Sequence, residues 1–296
     1  ILLPSFDTWK WGLLDWGGSI NPLSSAIRCC DAYSTVSEGY LGELVHEAKG
    51  LESLFVDQAY KAHGIVNGID LDLWNPAKDP LIPSKYTART VKSGKRKNKE
   101  AFCEKVGLPS DGLLLTYIGR FAYEKGADIL ASVLHNYYSQ NENNLTIFIL
   151  GSGDEGIQKD IEIAFEKYAP KIAVFFGYNE ALAHEAYAAS DIILMPSRVE
   201  PCGLNQLYAL KYGTIPLVRG VGGLKDTVID VSQEDGYGFV FNDFSVESID
   251  STIKRALEYS AKEKDWSVIT RKAMALDFSW DKSAQKYIEL YNQLLK

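Results

Sequence analysis

Residues 197–218 read SRVEPCGLNQLYALKYGTIPLV, from Ser197 to Val218. The run just before them, Asp191-Ile-Ile-Leu-Met195, is short and continuously apolar, as a strand buried on both faces is. Within the quoted stretch, Leu204, Leu207 and Tyr208 recur at helical spacing, and Gly213 stands where a glycine ends a helix. Ile215–Val218 is again a short apolar run. The stretch therefore reads as a strand, a loop, a helix and a second strand. Glu200 falls in the loop, at the C-terminal edge of a sheet and beside a helix N-terminus, the edge at which open α/β sheets bind ligands.

Working outward, similar apolar runs occur at Leu113–Ile118, Leu145–Leu150, Ile172–Phe176, Ile192–Met195 and Gly238–Phe241, most of them separated by segments of helical period. That alternation predicts a parallel sheet with helices on both faces. Toward the N-terminus, Asn21–Cys30 reads as a helix, Ala32–Val36 as a strand, and Ser37 as the N-cap of a helix reaching about Ala48. The Trp- and Gly-rich residues 9–18 read as a loop edge. His63–Asp70 reads as a strand followed by a turn centred on Asn67-Gly68. Residues 76–98 are rich in Pro, Ser and Lys and carry Arg89, Lys92, Lys95, Arg96 and Lys97, with Lys99 just beyond. A solvated connector is the favoured reading, and a basic edge facing a charged partner or ligand is the alternative. At the C-terminus, Trp280, Ala284, Tyr287, Ile288, Tyr291, Leu294 and Leu295 share one helical face, which calls for a packing partner.

The chain has 296 residues and a formal charge of −8. That length allows one large or two medium domains. An acidic balance argues against nucleic acid as the main partner but leaves room for a small anion at a local cationic cluster. No apolar run reaches the roughly 18 residues of a membrane span. The four cysteines, Cys29, Cys30, Cys103 and Cys202, have no metal-like spacing and read as reduced thiols of a cytoplasmic protein. No zinc-protease helix, nucleophile elbow or Walker loop is present.

Four constellations fall at strand ends. Gly151-Ser-Gly-Asp-Glu-Gly156 matches a dinucleotide fingerprint, yet the next strand ends at Gly177 without the acid a ribose needs, so a tight strand-to-helix turn is the better reading. Gly119-Arg-Phe-Ala-Tyr-Glu-Lys-Gly126 sets two cations, Arg120 and Lys125, in a glycine-bounded loop suited to phosphate oxygens. Glu200 needs cations beside it if an anion is to bind there, and those two could supply them. Arg219-Gly-Val-Gly-Gly223 is a glycine turn that a ligand could approach closely. Each also has a plain reading, as surface charges or structural turns; their convergence on one sheet edge is what points to a site.

Glu200–Pro216, Gly222–Val228, Gly119–Gly126, Val66–Asp70 and Asp277–Asp281 together closely resemble bacterial glycogen synthases and plant starch synthases, over about residue 21 to the C-terminus. The resemblance implies a two-domain GT-B glycosyltransferase. It would transfer glucose from ADP-glucose to the non-reducing end of an α-1,4-glucan such as glycogen, with retention and without a metal or other cofactor. It implies that Arg120 and Lys125 neutralise the donor diphosphate, that Glu200 lies at the sugar, that Tyr178 lies near the base and that Asn67 borders the cleft. Gly119, Cys202, Gly203, Leu204, Asn205, Gly222 and Gly223 complete the implied donor site. Glu124 stands where the family often has Gln. The family's N-terminal Lys-containing glycine-rich loop has no counterpart. Residues 1–62 therefore read as the tail of an acceptor domain, 63–279 as a Rossmann-like donor domain and 280–296 as a helix packing back on the acceptor side. Such a chain is expected to bind nucleotide with little turnover. A UDP-glucose-using transferase and a non-catalytic sugar-nucleotide or glucan-binding module are the alternatives, with a nicotinamide oxidoreductase further off.

Overall fold

The computed structural model describes residues 13–140 and 144–295. Strands β1 (Asp15–Trp16) and β2 (Ser19–Ile20) form a hairpin, so the described part of the Trp- and Gly-rich opening pairs with the two residues that follow it rather than forming a loop edge; Trp9–Gly12 lie outside the described residues. Helix α1 (Pro22–Cys29) is capped by the Asn21 side chain, which accepts from Ser24 N. Strand β3 (Tyr33–Thr35), helix α2 (Glu38–Leu44, capped by Ser37), helix α3 (Glu52–Asp57) and strand β4 (Ala62–Gly64) follow. β3 and β4 pair in parallel, and Ile27, Leu54 and Phe55 form a small core of their own. Val66–Gly68 carries no turn, contrary to the Asn-Gly expectation. Ile69 N instead donates to Phe278 O at 2.8 Å, which holds this segment straight alongside the C-terminal helix.

Helix α4 (Val91–Val106) overturns the connector reading of residues 76–98 over residues 91–98, its first two turns. Three features hidden from local composition explain it. Lys95, only 8% exposed, gives its ammonium to Tyr187 O, Ala188 O, Tyr212 O and Thr214 Oγ1. Asn98 is buried and bridges Ser84 and Gly94. Lys99 pairs with Asp191 at 2.6 Å. The basic run is thus partly interior, and its charges satisfy the carbonyl ends of other elements.

The main sheet has six parallel strands. They are β5 (Leu113–Phe121), β6 (Leu145–Gly153), β7 (Ile172–Phe176), β8 (Ile192–Met195), β9 (Ile215–Arg219) and β10 (Phe239–Phe241). Their spatial order is β10-β9-β8-β5-β6-β7, the doubly wound order of a Rossmann-like domain. Helices α5 (Leu130–Ser139), α6 (Glu155–Tyr168) and α10 (Val246–Ser260) cover one face; α4, α7 (Glu180–Ala189), α8 (Asn205–Lys211) and α9 (Gly222–Thr227) cover the other. The Gly151–Gly156 run is a strand end and turn, with Asp154 capping α6 through Ile157 N. Pro216 sits inside β9 without cost to the ladder. Ile215 N donates toward β8, so the missing N–H faces β10, whose pairing starts only at Leu217–Phe239. Helices α11 (Glu263–Ala275) and α12 (Trp280–Leu294) close the chain. On α12, Trp280, Ile288, Tyr291 and Leu294 are about half exposed, so within the described residues the apolar stripe lacks full cover. No helix among the described residues is long and apolar enough to cross a membrane.

Candidate functional site

The chain leaves β5 toward one side of the sheet and β8 toward the other, so the loops after these neighbouring strands part and open a crevice. After β5, Tyr123–Lys125 makes a single 3-10 turn that ends at Gly126, φ +66°. A Cβ at Gly126 would stand 2.0 Å from Pro196 O, so only glycine lets this turn lie on the segment that follows β8. Arg198 N and Val199 N then donate to Glu124 O at 2.9 and 3.2 Å. This stitching brings Lys125 Nζ to 2.8 Å from both carboxylate oxygens of Glu200. Ser197 Oγ donates to Glu200 Oε2 at 2.9 Å.

Glu200 is only 6% exposed, and a carboxylate so placed must be paired. Lys125 and Ser197 do this. Arg120 does not: its side chain is 69% exposed and pairs with Glu124 at 2.8 Å. Glu124 is held below the usual carboxylate range by its own backbone N–H and, after that, by Arg120. The two cations that sequence set against one acid are thus divided between two acids. Burial pushes the Cys202 thiol upward, so it is a neutral wall residue rather than a thiolate. Burial, with the charge of Glu200 adding to it, likewise keeps the Tyr117 phenol protonated, and its hydroxyl donates to Arg120 O at 2.8 Å.

A cleft of about 420 Å³ opens over the pair. Asn67, Gly119, Lys125, Glu200, Cys202, Gly203, Leu204 and Asn205 line it, joined by Val36, Tyr117 and Ser197, which sequence reasoning missed. Ser197 carried one signal, a hydroxyl three residues before the acid in the same loop. Asn205 Nδ2 donates to Ile118 O at 2.6 Å and so ties the start of α8 to β5. Arg120, Tyr178, Gly222 and Gly223 are not among the lining residues. Tyr178 is 85% exposed at the start of α7. Gly222 N donates to Glu43 Oε1 at 2.6 Å and Gly223 N to Glu200 O at 2.9 Å. A Cβ at Gly222 would meet Glu200 O at 2.1 Å, and one at Gly223 would meet Cys202 O at 2.1 Å. The glycine turn therefore lies against the backbone of the Glu200 loop. Among the described residues no group of three His, Cys, Asp or Glu side chains is placed to hold a metal ion.

Residues 98–273, more than half of the chain, match the family model described as glycosyl transferases group 1. The glycogen synthase of Flavobacterium johnsoniae is 45% identical over 294 residues, covering 99% of this chain and 62% of that protein. A glycogen synthase of Francisella tularensis is 40% identical over 292 residues, covering 96% and 59%. The catalytic domain of starch synthase IV from Arabidopsis thaliana, solved bound to ADP and acarbose, superimposes with a TM-score of 0.84 at 35% identity, over 93% of this chain and 58% of that one. The chain thus spans about three fifths of the length of these relatives. A doubly wound sheet with its crevice at the β5–β8 reversal, superimposing closely on a starch synthase, fits what the sequence match states: the chain belongs to the group 1 glycosyl transferases, with a GT-B-like fold of the glycogen and starch synthase type.

Proposed function

We propose that this chain carries the donor site of a glycogen synthase, which transfers glucose from ADP-glucose to the non-reducing end of an α-1,4-glucan with retention of configuration. The observation that carries the reading is the Lys125–Glu200 pair at the floor of the β5–β8 cleft. Breaking the bond from the anomeric carbon to the diphosphate leaves negative charge on the phosphate and positive character on the sugar. Fixed positive charge stabilises the first, and a carboxylate stabilises the second. One contact pair offers both charges. In this reading Lys125, with Arg120 swinging in from the rim, takes the diphosphate, and Glu200 faces the sugar. The acceptor 4-hydroxyl forms the new bond to the anomeric carbon, and its proton leaves with the diphosphate. Asn67, Gly119 and Cys202–Asn205 shape the wall, Tyr178 lies toward the base, and the Gly222–Gly223 turn supports the Glu200 loop. Residues 1–62 are assigned to the acceptor side, 63–279 to the donor domain and 280–296 to a helix returning to the acceptor side. The separate small core around Ile27, Leu54 and Phe55 supports that division. Four free cysteines support a cytoplasmic location.

Calorimetric titration with ADP, UDP and NAD tests the reading. Saturable ADP binding that weakens in Lys125→Ala is expected. Binding of NAD in preference to ADP, or of no nucleotide by either this chain or the full-length protein, overturns it.

A further inference from the structure

Lys125 and Glu200 come from loops 75 residues apart, and one further side chain joins those loops. Arg198 gives Nη1 and Nη2 to the two carboxylate oxygens of Asp128 at 2.6 and 2.7 Å. Its guanidinium lies against two rings, with Cζ 3.5 Å from the Tyr123 centroid and 3.7 Å from that of Phe244. Nη1 also donates to Tyr123 O at 2.7 Å. The Arg198 carbonyl accepts from Arg219 Nη1 at 3.2 Å, and Arg219 Nε donates to Asn242 O at 3.0 Å. One residue in the loop after β8 therefore grips the turn after β5 by edge and face, touches the loop after β10, and is braced by the last residue of β9. Only a planar cation with a fork of donors can bind a carboxylate along its edge while stacking on both faces.

We infer that Arg198 is a positioning residue, which fixes the Tyr123–Gly126 turn against the Glu200 loop and so sets where the Lys125 ammonium stands. This rests on the donor-site reading above. A lysine stem is flexible and does not by itself hold a charge in one place. Glu200 anchors the ammonium through both carboxylate oxygens. When a diphosphate arrives it competes with Glu200 for that ammonium, and the backbone of the turn becomes the remaining constraint on its position. Ser197 orients the acid and Arg198, its neighbour, orients the cation, so two adjacent residues set both charges. Arg198 has no contact with the cleft lumen in this scheme and acts through Lys125 alone.

The test uses Arg198→Ala, Arg198→Lys, Asp128→Asn, Lys125→Ala and the Arg198→Ala/Lys125→Ala pair, with two readouts. Amide hydrogen exchange over residues 122–128 needs no ligand. It should quicken about tenfold in Arg198→Ala and Asp128→Asn, with residues 113–118 of β5 unchanged. ADP titration should give a Kd raised about tenfold in Arg198→Ala, and the double variant should bind no more weakly than Lys125→Ala alone. Arg198→Lys keeps the charge without the fork or the stack, and should rescue neither readout. A general loss of stability would instead quicken exchange in residues 113–118 of β5 as well, and that result overturns the assignment. Unchanged exchange, additive losses in the double variant, or full rescue by lysine overturns the assignment. If the wild-type chain and its full-length form take no ADP, the donor-site reading falls, and the exchange comparison alone decides whether Arg198 holds the turn.

Discussion

Replacing Lys125 by methionine removes the cation from a carboxylate that is almost fully buried. The side chains are 26% and 7% exposed for Lys125 and Glu200. Removing one partner of a fully buried pair costs about 3–5 kcal/mol, because the other charge is stranded. Lys125 is partly open to water, which lowers the figure, and Ser197 still donates to Glu200, which lowers it further; about 2–3 kcal/mol remains. For a chain of 296 residues the unfolding entropy is about 0.6 kcal/mol/K, so the midpoint should fall by about 4 °C. Glu200→Gln strands only a partly exposed ammonium and should cost about 1 kcal/mol. The double variant carries neither charge and should lie close to Glu200→Gln, so the cycle should return a coupling of about 2–3 kcal/mol, the whole cost of Lys125→Met. Scanning calorimetry on the four proteins at one pH measures it. A Lys125→Met midpoint within about 1 °C of wild type, or a double variant whose loss equals the sum of the singles, would refute the view that this pair carries the local electrostatics.

Arg120→Ala should change stability by less than about 1 kcal/mol, since its pair with Glu124 is exposed, yet weaken ADP binding; equal ADP affinities for wild type and variant would remove Arg120 from the site. In the full-length enzyme, Glu200→Ala should lower turnover far more than it weakens nucleotide binding, and intact turnover would show that Glu200 has another role. Gly126→Ala forces a side chain into a left-handed conformation and against Pro196 O, and should cost about 2 kcal/mol or more by urea denaturation. Burial draws the Lys95 ammonium down to about 7 from 10.5. The folded state then binds fewer protons than the unfolded state across that window, so this contribution to stability is present at high pH and lost as pH falls through about 7. Stability should rise by up to about 1.4 kcal/mol per pH unit above pH 7, and Lys95→Met should flatten the slope. Coincident slopes in urea titrations at pH 7, 8 and 9 would mean that Lys95 stays charged.

The sheet was legible because parallel strands buried on both faces are written as short apolar runs, and all six of its strands lie where those runs are. The strand order was not legible, since it depends on which helix covers which face. The Lys-rich stretch before residue 98 misled for a physical reason. Lys95 and Asn98 are tolerated inside only because carbonyls from distant elements meet them, and no local pattern reports a partner 117 residues away. The meeting of Glu200 with Lys125 followed from both lying at one sheet edge. Arg120 could not be assigned in the same way, because its partner Glu124 is a local neighbour that the sequence reading noted only as a departure from the family's usual Gln. Arg198 stayed hidden because its neighbours Asp128, Tyr123 and Phe244 are scattered along the chain.

Lys95 has a further consequence. Its ammonium receives the carbonyls that end α7, from Tyr187 and Ala188, and the one that closes α8, from Tyr212. The opposite ends of those helices open near Tyr178 and just after Gly203, on the ligand edge of the sheet. At about 1.5 Å per residue, the rods are roughly 15 and 10 Å long, and they are pinned at a common foot. Lys95 therefore works as the fixed leg of a calliper: it sets the gauge between the two tips without touching anything that passes between them.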